Sequence, residues 1–114
     1  EVKAARSINT KQRGGLVSKG LRFGSTAPFW MNYQQLKFDT CDVFVLIGVW
    51  TDQIRYWVLS KAEAESNRYL SHQHRCGLEY QIGITSQNIT DFDPFLVGPD
   101  SLAASVAAKG RSIG

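Results

Sequence analysis

The clearest hydrophobic pattern in the chain runs from Thr40 to Val49 (Thr-Cys-Asp-Val-Phe-Val-Leu-Ile-Gly-Val). It is nearly continuously apolar and β-branched, the pattern of a strand covered on both faces. Trp50 to Gln53 reads as a turn, and Ile54 to Leu59 then alternates as the antiparallel partner of a hairpin. Leu78 to Ile84 alternates with the same period of two and predicts a further strand. The opening residues, Glu1 to Arg6, also read as a strand, with Glu1 and Lys3 on one face and Val2 and Ala4 on the face that packs against a core. Elsewhere the period is helical. Phe29, Tyr33 and Leu36 recur at helical spacing behind a Ser25-Thr26-Ala27-Pro28 start, which predicts a short helix. Ser60 and Glu63 form the two halves of a capping box for a helix that fades around Asn67 to Leu70. Asp100-Ser101 caps an Ala-rich helix from Leu102 to Lys109, ended by Gly110. Leu21 to Gly24 reads as a short strand, and Ser7–Gly20, Ser71–Gly77 and Ser86–Pro99 read as loops.

The pattern is that of one small α/β domain, and 114 residues are enough for a single core. An apolar content of 43% argues against disorder, and no apolar run is long enough to span a bilayer. The chain opens on Glu1 rather than an initiator Met, so it is expected to be processed or to begin inside a longer polypeptide. Cys41 and Cys76 are too few for a disulfide framework, and Cys41 beside an apolar strand reads as a buried thiol in a reducing cytoplasm.

Charge changes the picture more. Residues 1–37 carry seven basic side chains against Glu1 alone, a net +6, whereas residues 38–114 carry six bases against nine acids, a net −3. A basic third beside an acidic remainder points to a polyanionic partner, nucleic acid first. Arg6, Lys11, Arg13, Lys19 and Arg22 are the cations placed to follow a phosphate backbone. His72, His74 and Arg75 offer further phosphate or base-edge contacts. His72-x-His74-x-Cys76 supplies too few ligands for a zinc tetrahedron. Asp91 and Asp93 lack the Gly and distal Glu of a calcium loop, and no nucleophile elbow is present.

Glu1-Val2-Lys3 carries chemistry of its own. A carboxylate and an ammonium two residues apart on a strand suit phosphodiester hydrolysis: the acid can hold a hard divalent cation, and the amine can orient water or balance developing charge.

Taken together, the blocks have a familiar order. Glu-Val-Lys is followed by a basic loop and Tyr33-Gln34-Gln35-Leu36. Then come Cys41-Asp42-Val43-Phe44-Val45-Leu46-Ile47-Gly48-Val49 and Arg55-Tyr56-Trp57-Val58-Leu59-Ser60-Lys61. Over about residues 1–65 this resembles the PD-(D/E)xK nucleases, type II restriction endonucleases in particular.

The resemblance implies a restriction-endonuclease-like mixed sheet flanked by helices, with Glu1–Arg6, Thr40–Val49 and Ile54–Leu59 as central strands. It implies Mg²⁺-dependent, site-specific cleavage of double-stranded DNA by a homodimer in a prokaryotic cytoplasm. Glu1 would be a metal-binding acid, the Val2 carbonyl a further metal ligand and Lys3 the motif lysine. Gln34 or Gln35, with Gln35 preferred, would help position water or phosphate, and Phe44 and Trp57 would be core. The family also uses an acid upstream of this motif, on a strand and behind a helix that the chain does not contain. The chain is therefore expected to be the C-terminal portion of such a domain and to cleave poorly alone. Two other readings stay open: a non-catalytic nucleic-acid-binding module, and a structure-selective or repair nuclease on the same fold.

Overall fold

The computed structural model describes residues 1–11, 20–74 and 77–111, without the side chains of His74 and Arg111. Among the described residues, eight strands form two sheets. The first is mixed, in the order β1 (Val2–Arg6), β4 (Val43–Val49), β5 (Ile54–Ser60) and β8 (Leu96–Val97). The second is antiparallel, in the order β2 (Ile8–Asn9), β3 (Phe29–Leu36), β7 (Leu78–Thr85) and β6 (Leu70–His74). Among the described residues, two α-helices, α1 (Lys61–Glu65) and α2 (Leu102–Arg111), and 3-10 turns at Ile89–Phe95 and Pro99–Ser101 accompany the sheets of this α/β fold.

The hairpin of β4 and β5 forms in full antiparallel register from Val43↔Ser60 to Val49↔Ile54. On one face Phe44, Leu46, Trp57 and Leu59 bury against Met31, Tyr33, Ile82 and Ile84 of the second sheet. On the other, Val45 and Val58 are buried on the side where α2 packs across β4 and β5. Coverage on both faces accounts for the nearly unbroken apolar run of β4.

β1 lies parallel to β4, in register from Val2↔Val45 to Arg6↔Val49. Parallel neighbours need a crossover, usually helical; here the path passes through β2 and β3 of the other sheet. Fully buried Ser7 marks the change of sheet, its N–H donating to the Val49 carbonyl at 2.9 Å. The mixed sheet thus has a second sheet on one face and helix on the other, in place of helices on both. β1 is an edge strand of it, not a central one.

Several expectations are corrected. Phe29–Leu36 is a strand, not a helix. Met31 and Tyr33 are buried and Trp30 is exposed, in simple alternation. A bulge between Tyr33 and Leu36, with Gln35 at φ 57°, then shifts the phase by one residue. That shift brings Leu36 back to the core and makes the 29, 33, 36 spacing look helical.

His72 and its neighbours lie on strand β6, which pairs with β7 where a loop was expected. Leu21–Gly24 ends in a turn with Gly24 at φ 89° instead of forming a strand. The Ser86–Pro99 loop holds a 3-10 turn and β8. α1 is only five residues long, and α2 runs through Gly110 to Arg111. The capping box stands as read: Glu63 N–H donates to the Ser60 hydroxyl at 3.2 Å, and Ser60 N–H donates to the Glu63 carboxylate at 2.9 Å.

Candidate functional site

The faces of β1 are the reverse of the expected ones. Lys3 and Ala5 align with Leu46 and Gly48, the side turned toward the second sheet. Val2, Ala4 and Arg6 align with Val45, Ile47 and Val49, the helix side. There α2 contacts β4 and β5, and Val2 is left 63% exposed. Glu1 and Lys3 therefore sit in the seam between the two sheets, at the edge of the mixed one.

Their side chains are 26% (Lys3) and 12% (Glu1) exposed, and the ammonium lies 3.4 Å from a carboxylate oxygen. The other Glu1 oxygen accepts the Lys37 backbone N–H at 3.0 Å. The backbone of Glu1 is held too, its nitrogen donating to the Val43 carbonyl at 2.7 Å and its carbonyl accepting from Val45 N–H at 2.7 Å. β1 thus spends its odd-numbered residues on β4. In a parallel ladder the intervening residues then turn their polar groups to the other side. The Val2 carbonyl accordingly faces the edge of the sheet, beyond which no further strand pairs among the described residues.

These groups fit part of a Mg²⁺ shell. Mg²⁺ prefers six oxygens and commonly takes one or two carboxylates, with water and substrate phosphates supplying the rest. Glu1 provides one carboxylate whose oxygens each keep a spare lone pair, and the Val2 carbonyl is a hard oxygen at that edge. Among the described residues no three His, Cys, Asp or Glu side chains cluster.

The remaining candidates scatter. Gln35, exposed on the β3 bulge, reaches Glu79 at 3.5 Å rather than the Glu1 carboxylate. Lys11 is exposed beyond β2. Arg22 is 80% exposed and paired with Asp52 at 3.5 Å. His72 stands opposite Tyr80 on β6, the far edge of the antiparallel sheet from β2. Arg13, Lys19, Arg75 and the side chain of His74 lie outside the described residues.

Three arginines gather at the other end of the mixed sheet, around Trp50. Arg6 and Trp50 line one cavity, and Arg22, Arg55, Phe23, Phe29 and Trp50 line its neighbour. Arg55 is absent from the sequence-based candidates because, within β5, it reads as one polar position of an alternating strand. The cue that was available is its register opposite Gly48, where a residue without a side chain faces a long cation.

Asp52 ties this end together. Phe23 N–H donates to its carboxylate at 2.8 Å. That bond and the Arg22 guanidinium hold the Asp52 carboxyl below the usual range, against a smaller opposing effect of desolvation.

No helix among the described residues is long and apolar enough to cross a membrane. Compared with protein-family models, curated proteins and solved structures, the chain matches none.

Proposed function

We propose that the chain carries the glutamate-and-lysine half of a restriction-endonuclease-like site, and that the longer protein to which it belongs hydrolyses phosphodiester bonds of double-stranded DNA as a Mg²⁺-dependent, site-specific homodimer. The supporting observation is the half-buried Glu1–Lys3 pair at the edge of a mixed sheet, 3.4 Å apart, with the Val2 carbonyl turned outward beside it.

Glu1 and the Val2 carbonyl would hold the cation, which when bound supplies Lewis acidity and a more acidic water. Lys3 orients the attacking water by hydrogen bond and offsets charge growing on the phosphate oxygens. Water oxygen bonds to phosphorus as the ester P–O bond breaks. One water proton passes to solvent, and the departing oxygen takes up another, leaving a phosphomonoester and a hydroxyl. Lys37 keeps Glu1 in place through its backbone N–H.

The test is plasmid cleavage with and without Mg²⁺ by the full-length parent protein and by its Glu1→Gln and Lys3→Ala variants, with melting temperatures as the folding control. Cleavage that needs Mg²⁺ and drops at least about 100-fold in both variants is the expected result. Equal cutting by both folded variants, or none by the parent with any divalent cation, removes the reading. Salt-sensitive DNA binding without metal dependence would then leave the binding-module reading. Discrete bands rather than a smear distinguish a site-specific cutter from a structure-selective one.

A further inference from the structure

The cavity beside Trp50 has a volume of about 280 Å³, and Phe23, Phe29, Trp50, Arg22, Arg55 and Asp93 contribute to its lining. Its aromatic wall is built by packing. The Phe23 and Phe29 rings meet Trp50 edge-on at 5.1 and 5.7 Å, and Trp50 itself is only 4% exposed. The turn that carries Phe23 is fixed by Asp52, which bonds both the Phe23 N–H and Arg22. This wall is therefore in place before any ligand arrives.

Arg55 is the unusual member. Its guanidinium lies 4.1 Å from the centre of the Phe23 ring. Among the described residues none of its five N–H groups finds an acceptor; the Phe23 face is its partner. A half-buried cation with unspent donors is a binding element awaiting an anion. Asp93, on the same cavity, has a carboxylate that likewise bonds nothing among the described residues. Arg55 and Asp93 line one cavity yet do not pair, which leaves room between them for a guest.

We propose that this cavity binds a nucleotide unit: an unpaired base together with its phosphate. The guanidinium presents its second face to the base while its edge donates to phosphate oxygens, a use of arginine that lysine cannot match. Asp93 accepts N–H groups from the base, which favours guanine, whose pairing edge carries two adjacent donors. Inorganic phosphate would satisfy the charge alone, and an uncharged ring only the wall. The cavity lies at the far end of β1 and β4 from Glu1, about 20 Å along the strands. The inference does not rest on phosphodiester cleavage, and its test involves none.

The experiment is a titration followed by amide and indole NMR shifts, with guanosine monophosphate, cytidine monophosphate and inorganic phosphate as probes. A guanine-containing single-stranded oligonucleotide and its duplex complete the set. Guanosine monophosphate should move the Phe23, Gly24 and Arg55 amides and the Trp50 indole N–H, with inorganic phosphate at least about tenfold weaker. Arg55→Lys should cut affinity about tenfold at unchanged melting temperature, and Asp93→Asn should erase the preference for guanine over cytosine. Tighter binding of the single strand assigns the pocket to a strand, and equal binding assigns it to free mononucleotide. The proposal is overturned by absence of shifts at this wall up to about 10 mM. Equal affinity for inorganic phosphate, binding by the duplex as tight as by the single strand, or undiminished binding by Arg55→Lys would overturn it as well.

Discussion

The two ends of the mixed sheet are held by different physics. At the end where β1 begins, polar groups do the holding. Glu1 is bonded to Lys3 and to the Lys37 N–H, and Ser60, opposite Val43, forms its capping box with Glu63. Lys109 of α2 then pairs with Glu63. At the end where β4 turns into β5, rings do it: Phe23, Phe29, Trp50 and Trp57 interlock. The polar end uses its charges on itself, so a cation or phosphate arriving there must share Glu1 and Lys3 with existing partners. The aromatic end, apart from the Arg22–Asp52 pair, uses area for cohesion. It leaves the N–H groups of Arg55, whose guanidinium stacks on Phe23, without an acceptor among the described residues. Ring packing therefore frees charge for binding, whereas ion pairing consumes it.

The contrast is best broken at Gly48. A Cβ there would stand 2.8 Å from both the Trp50 and Trp57 rings and 3.1 Å from the Met31 sulfur. Gly48→Ala should cost about 1–3 kcal/mol, read as a melting temperature lower by several degrees. A change under about 0.5 kcal/mol would show that the aromatic end is loosely packed after all.

Tyr33 is the next largest. Its buried hydroxyl donates to the Ile47 carbonyl at 2.9 Å, linking the two sheets midway between the ends. Tyr33→Phe should cost about 1 kcal/mol in chemical denaturation. Burial pushes the Tyr33 phenol well above its ordinary value. Its folded pKa is thus raised, so this stability is present below the unfolded value of about 10 and is lost as pH rises beyond it. Tyr33→Phe should therefore flatten the alkaline limb of the melting curve.

The polar end should fail in acid instead. Desolvation raises the Glu63 carboxyl, but the Lys109 ammonium and the Ser60 N–H outweigh it, and the net direction is down. A lowered folded pKa means stability that is present above the unfolded value, about 4.3, and lost as pH falls below it. Melting temperature should drop between about pH 5 and 3, and by less in Glu63→Gln. An identical acid limb in that variant would remove Glu63 from the account.

The smallest effect belongs to Glu1 and Lys3. Lys3→Ala should change stability by only about 0.5 kcal/mol in thermal unfolding. That keeps a loss of cleavage in this variant separable from a loss of fold, and a change of several kcal/mol would make the pair primarily structural.

How much of this was legible follows one rule. The strongest patterns within a single run of chain read correctly, whereas the weaker ones at Leu21–Gly24 and Ser71–Gly77 did not. The β4–β5 hairpin followed from two adjacent apolar runs and a turn, the capping box from two residues three apart, and β7 from simple alternation. Readings failed where a residue's meaning depended on a partner far along the chain. The β3 bulge is one such place, because a one-residue slip against β7 converts a period of two into an apparent helical spacing. The face of β1 is another, since alternation names two faces but not which one meets the core, and parallel pairing with β4 chose the Lys3 side.

The sequence by itself determined the β4–β5 hairpin, β7, the helix cap and the Glu1–Lys3 proximity, because each is encoded within a few bonds. Tertiary structure alone decided that β1 would be an edge, that Lys37 would clasp Glu1, and that Phe23, Arg55 and Asp93 would enclose one cavity. These three come from a turn, a strand and a 3-10 segment that are brought together when apolar side chains from both sheets are buried in one core. Burial of that kind is non-directional and roughly proportional to area, so it leaves no local signature in the chain.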